Sequence, residues 1–209
     1  MSRSHAKGEL PLRAGIGSDD GIALVVTLLV VMMMAALGGA LGALTSTETA
    51  IAANVEDGTQ AVEAARSAAE LAIGELSVLA DWHAVLLGQI SSGLNDGPAG
   101  LRRLPDSRTM DLTGETGRLN CGQPRPCHPA ELVAVTARRP WGANNPAWVL
   151  FAHGPLADVL PGGHRGPLPY VAVWVADDPA ETDDDPQTDG GGPAGSNPGL
   201  GVLWLHAEA

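Results

Sequence analysis

The chain has 209 residues and a formal net charge of −12, with eleven Arg and one Lys against 24 acidic residues. A chain this acidic is excluded as a nucleic-acid binder, because phosphate contacts need clusters of Lys and Arg. Arg3, Lys7 and Arg13 balance Glu9, Asp19 and Asp20, so the whole −12 falls after residue 21.

Residues 1–21 carry Gly8, Pro11, Gly15 and Gly17 and read as an unstructured leader. Residues 22–44 then run for 23 positions without a charge. A bilayer core of ~30 Å needs about 20 apolar residues in a helix, so this run can span a membrane. It is too long for the apolar core of a cleaved secretory signal and passes into helical sequence with no turn between. The N-terminal flank holds three basic residues, and the other flank holds none before Arg66. This asymmetry predicts a cytoplasmic N-terminus, an anchor in the inner membrane and an exported C-terminal domain. Gly38 and Gly42 form a small-xxx-small pair that either lets helix backbones approach closely or is glycine simply tolerated in a membrane helix.

Residues 45–79 continue the helix. Ile51, Val55, Val62, Ala65, Ala69, Ile73 and Leu76 recur on one helical face. Glu63 and Arg66 are placed to pair at i,i+3, and Gly58 is a point for a bend. Read as one element, residues 22–79 reach roughly 87 Å at 1.5 Å per residue, about half of it beyond the bilayer. Residues 81–87 either close this helix or start a short second one. Turn residues follow at Gly93, Gly97, Pro98, Gly100 and Pro105, with a short strand expected at 109–113. Strand-like runs fall at Leu132–Ala137, Trp148–His153, Tyr170–Ala176 and Val202–His206, between Pro- and Gly-rich loops. The order predicts an α+β fold, a long N-terminal helix packed on a small antiparallel sheet domain at 80–209. The sequence closes at 206–209 within a strand-like run, as a fragment or on a strand that another element completes.

This layout resembles type IV pilin-like proteins. The runs Gly21-Ile22-Ala23-Leu24-Val25-Val26 and Leu28-Leu29-Val30-Val31 are similar to the start of PilX-like pilus assembly proteins. So are Thr45 to Asn54 and Ala61 to Glu70, and the likeness covers residues 18–75. The resemblance implies cleavage by a prepilin peptidase between Gly21 and Ile22, leaving Ile22 as a methylated N-terminus. It further implies an inner-membrane assembly platform and other pilin or pseudopilin subunits as partners, with the bilayer holding the helix before assembly. Major pilins usually carry Glu at the fifth mature position, where this chain has Val26. That departure points to a minor or tip-located subunit. The family also favours Lys or Arg where Asp19 and Asp20 precede Gly21.

Cys121 and Cys127 are the only cysteines, separated by Gly-Gln-Pro-Arg-Pro. An exported domain with an even count favours a disulfide, and a metal site using both with His128 is the alternative. Residues 177–190 hold seven carboxylates. Asp183, Asp185, Gln187 and Asp189 sit at alternate positions, and the three carboxylates form a candidate calcium site, since calcium takes six to eight oxygens on a flexible loop. The other reading is a solvated acidic loop. Trp141 and Trp148 flank a turn and are expected to pack in the core. No nucleophile elbow, P-loop, dinucleotide fingerprint or His-Glu-x-x-His pattern occurs, so the expected role is non-enzymatic.

Overall fold

The computed structural model describes residues 19–104, 107–136, 145–159, 169–181, 185–189 and 201–209. The chain divides into two compact units, Met1–Asn54 and Val55–Ala209. In the first, residues 21–54 form the N-terminal part of α1 (Asp19–Leu76), and all are exposed. Its hydroxyls are satisfied within the helix. Thr27 donates to the Leu24 carbonyl (2.8 Å), Thr45 to Leu41 (3.0 Å), Thr47 to Ala43 (3.0 Å) and Thr49 to Thr45 (2.8 Å). A helix whose polar groups bond internally makes no demand on water, which is the requirement for entering hydrocarbon. By length and composition α1 can cross a membrane, with a mean hydropathy of 2.6 over its most apolar 18-residue window.

The second unit is a small α+β domain around a three-stranded antiparallel sheet. β1 (Leu101–Arg103) and β2 (Thr109–Asp111) form a separate two-stranded ribbon. The main sheet has the order β3 (Val149–Pro155), β4 (Tyr170–Asp177), β5 (Leu203–Glu208). β4 is central and buried at every position. Side chains alternate across a strand, so β4 serves two cores. Val171, Val173 and Val175 face the last turns of α1, together with Phe151, Leu156, Val85, Leu86 and Leu94. Tyr170, Ala172 and Trp174 face the other way, against Leu112, Met110, Leu119 and Trp148. A register shift between Leu150 and Ala152 marks a bulge at Phe151. The extra residue lets Phe151 and Ala152 both join the α1-side core.

The face of α1 that meets the sheet is an alanine stripe. Ala64, Ala68, Ala72 and Leu76, at steps of four, are the helix's buried residues. Of the face expected from the sequence, Leu76 is buried, while Ile51, Val55, Val62 and Ile73 stay exposed. Small side chains let the helix backbone approach the valines of β4, and the larger residues are left on the outside. Gly58 does not interrupt the helix. Arg66 pairs with Glu70 at 3.2 Å rather than with Glu63, choosing the i,i+4 neighbour. The helix ends where Trp82 Nε1 donates to the Leu76 carbonyl at 2.9 Å, and α2 (His83–Leu86) follows.

The expected strand at 132–137 is corrected: Pro129–Thr136 form α4. The signals lie upstream of the apolar run. Pro129 sits in the first helical turn, where its missing N–H costs nothing. Glu131 accepts from the His128 N–H at 2.8 Å, the return arm of a capping box. Ala137 lies outside the described residues. α3 (Leu112–Cys121) was not foreseen; it ends at Gly122, in the left-handed region with φ 74°. Asn120 holds it to the sheet, accepting from the Trp148 N–H at 2.7 Å and donating to the Trp148 carbonyl at 3.0 Å. Trp174 Nε1 adds a bond to Thr116 Oγ1 at 2.8 Å.

Candidate functional site

Four groups of residues carry chemistry or an unused surface. The first is α1. Gly21 and Ile22 lie in helix and are exposed. A Cβ at Gly38, Gly39 or Gly42 would meet nothing within 4 Å, so the glycine-bearing side is open. Ile51, Val55 and Val62, beyond the uncharged run, are also exposed.

The second is the cysteine pair. Cys121 and Cys127 form a disulfide, with Cα atoms 6.0 Å apart and a sequence separation of 6. This removes the metal alternative with His128, because disulfide sulfurs have no thiolate to offer. The bond closes the loop between α3 and α4. That loop packs on α3 so closely that a Cβ at Gly117 would overlap the Arg125 carbonyl oxygen and lie 2.6 Å from that of Gln123. Arg125 in turn forms a salt bridge with Glu131 on α4, with Nη1 2.9 Å from Oε2. Bonding to Arg125 and to the His128 N–H holds the Glu131 carboxyl down at about 2.

The third is acidic. Of the expected calcium set, Asp189 alone joins a group of converging carboxylates among the described residues. Asp183 lies outside the described residues. Asp185 caps a turn, accepting from the Gln187 N–H at 3.1 Å and from Thr188 Oγ1 at 3.0 Å. Asp189 converges instead with Asp177 and Glu181, each placing a carboxylate oxygen within 4.8 Å of the others. All-oxygen donors suit a hard cation rather than zinc. Spacing alone does not single out Asp177 and Glu181. The missed signal was position: Asp177 ends an apolar strand and Glu181 lies four residues on, and both are buried. Carboxylates gathered this way are common without an ion.

The fourth is a polar group on the sheet, part buried and part at the surface, that the sequence did not suggest. His153 Nδ1 lies 2.9 Å from Asp96 Oδ1, and the Tyr170 hydroxyl donates to the same oxygen at 3.1 Å. A carboxylate only accepts, so the neutral His153 ring carries its proton on Nδ1. Arg102 Nε approaches Asp96 Oδ1 at 3.1 Å. Burial pushes the His153 pKa down, against the pull of Asp96, and Arg102 adds to the lowering. Burial and then the Asp96 charge push Tyr170 well above 10. Asp96 lies 57 residues from His153 and 74 from Tyr170, which no local pattern reveals. His153 is only 3% exposed while Asp96 lies at the surface, and their bonds clasp the segment at 92–96 to β3 and β4.

Trp148 packs as expected, with its ring centroid 5.9 Å from that of His206, whereas Trp141 lies outside the described residues. No protein-family model, curated protein or solved structure matches the chain.

Proposed function

We propose that this chain is a non-enzymatic minor pilin-like subunit that contributes to the assembly, priming or tip of a type IV pilus or related secretion filament. The observation that carries the reading is the amount of apolar helix left uncovered. Spanning a bilayer needs about 20 apolar residues. The 23-residue run at 22–44 meets that need, yet Ile51, Val55 and Val62 continue the exposed apolar surface past it. An anchor alone has no use for them, while helices bundled in a filament bury such a face. The open glycine-bearing side at Gly38 and Gly42 supports the same reading, since close helix contact needs that space. Val26 in place of a carboxylate favours a minor over a major subunit. The N-terminus faces the cytoplasm, the second unit is exported, and the anchor sits in the inner membrane before assembly. The partners are prepilin peptidase, the assembly platform and other pilin-like subunits.

Mass spectrometry of the protein recovered from membranes tests this directly. The expected mature N-terminus is a methylated Ile22, and photo-crosslinkers at Ile51, Val55 or Val62 are expected to trap other pilin-like subunits. An intact Met1 with no such crosslinks would overturn the proposal. It would favour instead a single-pass envelope protein that joins no filament.

A further inference from the structure

Val55, Val62 and Ile73 stand exposed on α1, with half-buried Ala69 between the last two. Spacings of seven, seven and four residues put all four on one helical face, in a row about 27 Å long. At the end of the row Ile73 lines an apolar groove of about 170 Å³, with Leu76, Ser77, Trp82, Leu203 and Leu205. The two sides of the row differ. On one side the helix turns into Ala64, Ala68 and Ala72, which are buried in the core it shares with the sheet. On the other stand Glu56, Glu63 and Glu70, each one position after Val55, Val62 and Ala69 and likewise seven apart. All three are exposed. Arg66 is the sole basic residue between 55 and 81, against six acidic ones, and it pairs with Glu70 at 3.2 Å.

Charge selects the occupant. Charged residues that flank an apolar row at heptad spacing decide which helices pair. A second copy is a poor fit. Packed antiparallel, it sets one Glu row against the other. Packed parallel about a two-fold axis, it turns each Glu row toward the partner's alanine side, which the partner's own sheet already fills. A helix with Lys or Arg on the matching flank meets opposite charge along the whole row. Its apolar side chains then cover Val55, Val62 and Ile73.

We propose that this face of α1 takes up one helix of a different protein, whose apolar row is flanked by Lys or Arg where it meets Glu56, Glu63 and Glu70, with an apolar side chain entering the groove at Ile73. The inference rests on the reading of α1 as an assembly surface and names the chemistry of the partner it selects.

The test uses the full-length protein in nanodiscs of zwitterionic lipid, with empty nanodiscs as the blank, and three synthetic helical peptides read by fluorescence anisotropy. The first has a Leu row at heptad spacing flanked by Lys. The second has Glu in place of the Lys. The third has the composition of the first in scrambled order. The Lys peptide is expected to bind saturably, and the Glu peptide about tenfold more weakly, since three exposed charge pairs of modest strength add up to that. Glu56→Lys, Glu63→Lys and Glu70→Lys together are expected to invert the preference with the helical circular-dichroism signal intact. Ile73→Asn, at an exposed position, is expected to weaken the Lys peptide several-fold. Failure of the Lys peptide to bind at millimolar concentration, equal binding of the scrambled peptide, or an unchanged preference in the triple variant would overturn the proposal. A photo-crosslinker at Val62 that joins two copies of the purified protein would assign the face to self-association and overturn it too. A methylated Ile22 with no preference between the peptides sinks this inference alone. An intact Met1 with the preference retained sinks the filament reading and leaves the contact standing.

Discussion

His153 shows how one side chain ties stability to pH. It is buried in the sheet, and its neutral ring is held by Asp96 and Tyr170, with Arg102 close behind. Its folded pKa lies below the ordinary 6.5. The unfolded chain therefore takes up a proton near 6.5 while the folded chain does not. Stability from this residue is complete above that pH and is lost as pH falls below it toward the folded value. Thermal melts between about pH 8 and about pH 5 are expected to show a falling midpoint, and His153→Gln is expected to flatten that part of the slope. Tyr170 acts at the other end. Its pKa lies above the ordinary 10 in the fold, so its contribution is lost as pH rises through 10 and the unfolded phenol ionises first. The clasp was not legible in the sequence because its members come from β3, β4 and a loop far from both. Only the register of β3 on β4 and the bridge between Asn95 and His153 bring them together.

Among the elements, α1 and the disulfide loop make the clearest predictions. Ala68 and Ala72 are fully buried against the sheet. Ala72→Leu inserts a larger side chain where the backbone approach depends on a small one, with an expected loss of about 1–3 kcal/mol in denaturant melts. Val62→Ala, on the exposed side, is expected to leave the same melts unchanged. The Cys121–Cys127 bond closes a loop with a sequence separation of 6. Loop-closure entropy for so short a ring makes reduction cost about 2 kcal/mol. Amide exchange is expected to rise first in α3 and α4 on reduction, with β4 protected longest. Much of this scale could be read in advance. The period of α1, the strand propensity of β4 and the cysteine pair are all visible as patterns. α4 is hidden because Leu-Val-Ala-Val suits a buried strand as well as a helix. The deciding groups were Pro129 and Glu131, before and within the run's first turn. The choice between alanine and valine faces of α1 also stayed hidden, because period alone fixes which residues share a face and not which face is taken.

On the scale of the whole molecule, the chain joins a membrane-length helix to an acidic α+β domain. The helix predicts partition behaviour that the domain cannot. Val31 and Met34 lie inside the uncharged run and are exposed. A charge at the centre of a membrane helix costs about 3 kcal/mol on insertion scales. Val31→Asp combined with Met34→Asp is expected to move the protein from the carbonate-resistant membrane fraction to the soluble or aggregated one. Retention of the double variant in the membrane fraction would show that α1 is not the anchor. The sequence by itself determined the apolar run, its charge asymmetry, the α+β order and the sulfur pairing, because each is a local pattern of residue type. Tertiary structure alone decided which side of α1 meets the sheet, which carboxylates converge and how His153 is clasped. Those depend on strand register and on distances between segments far apart in the chain, which local periodicity does not encode.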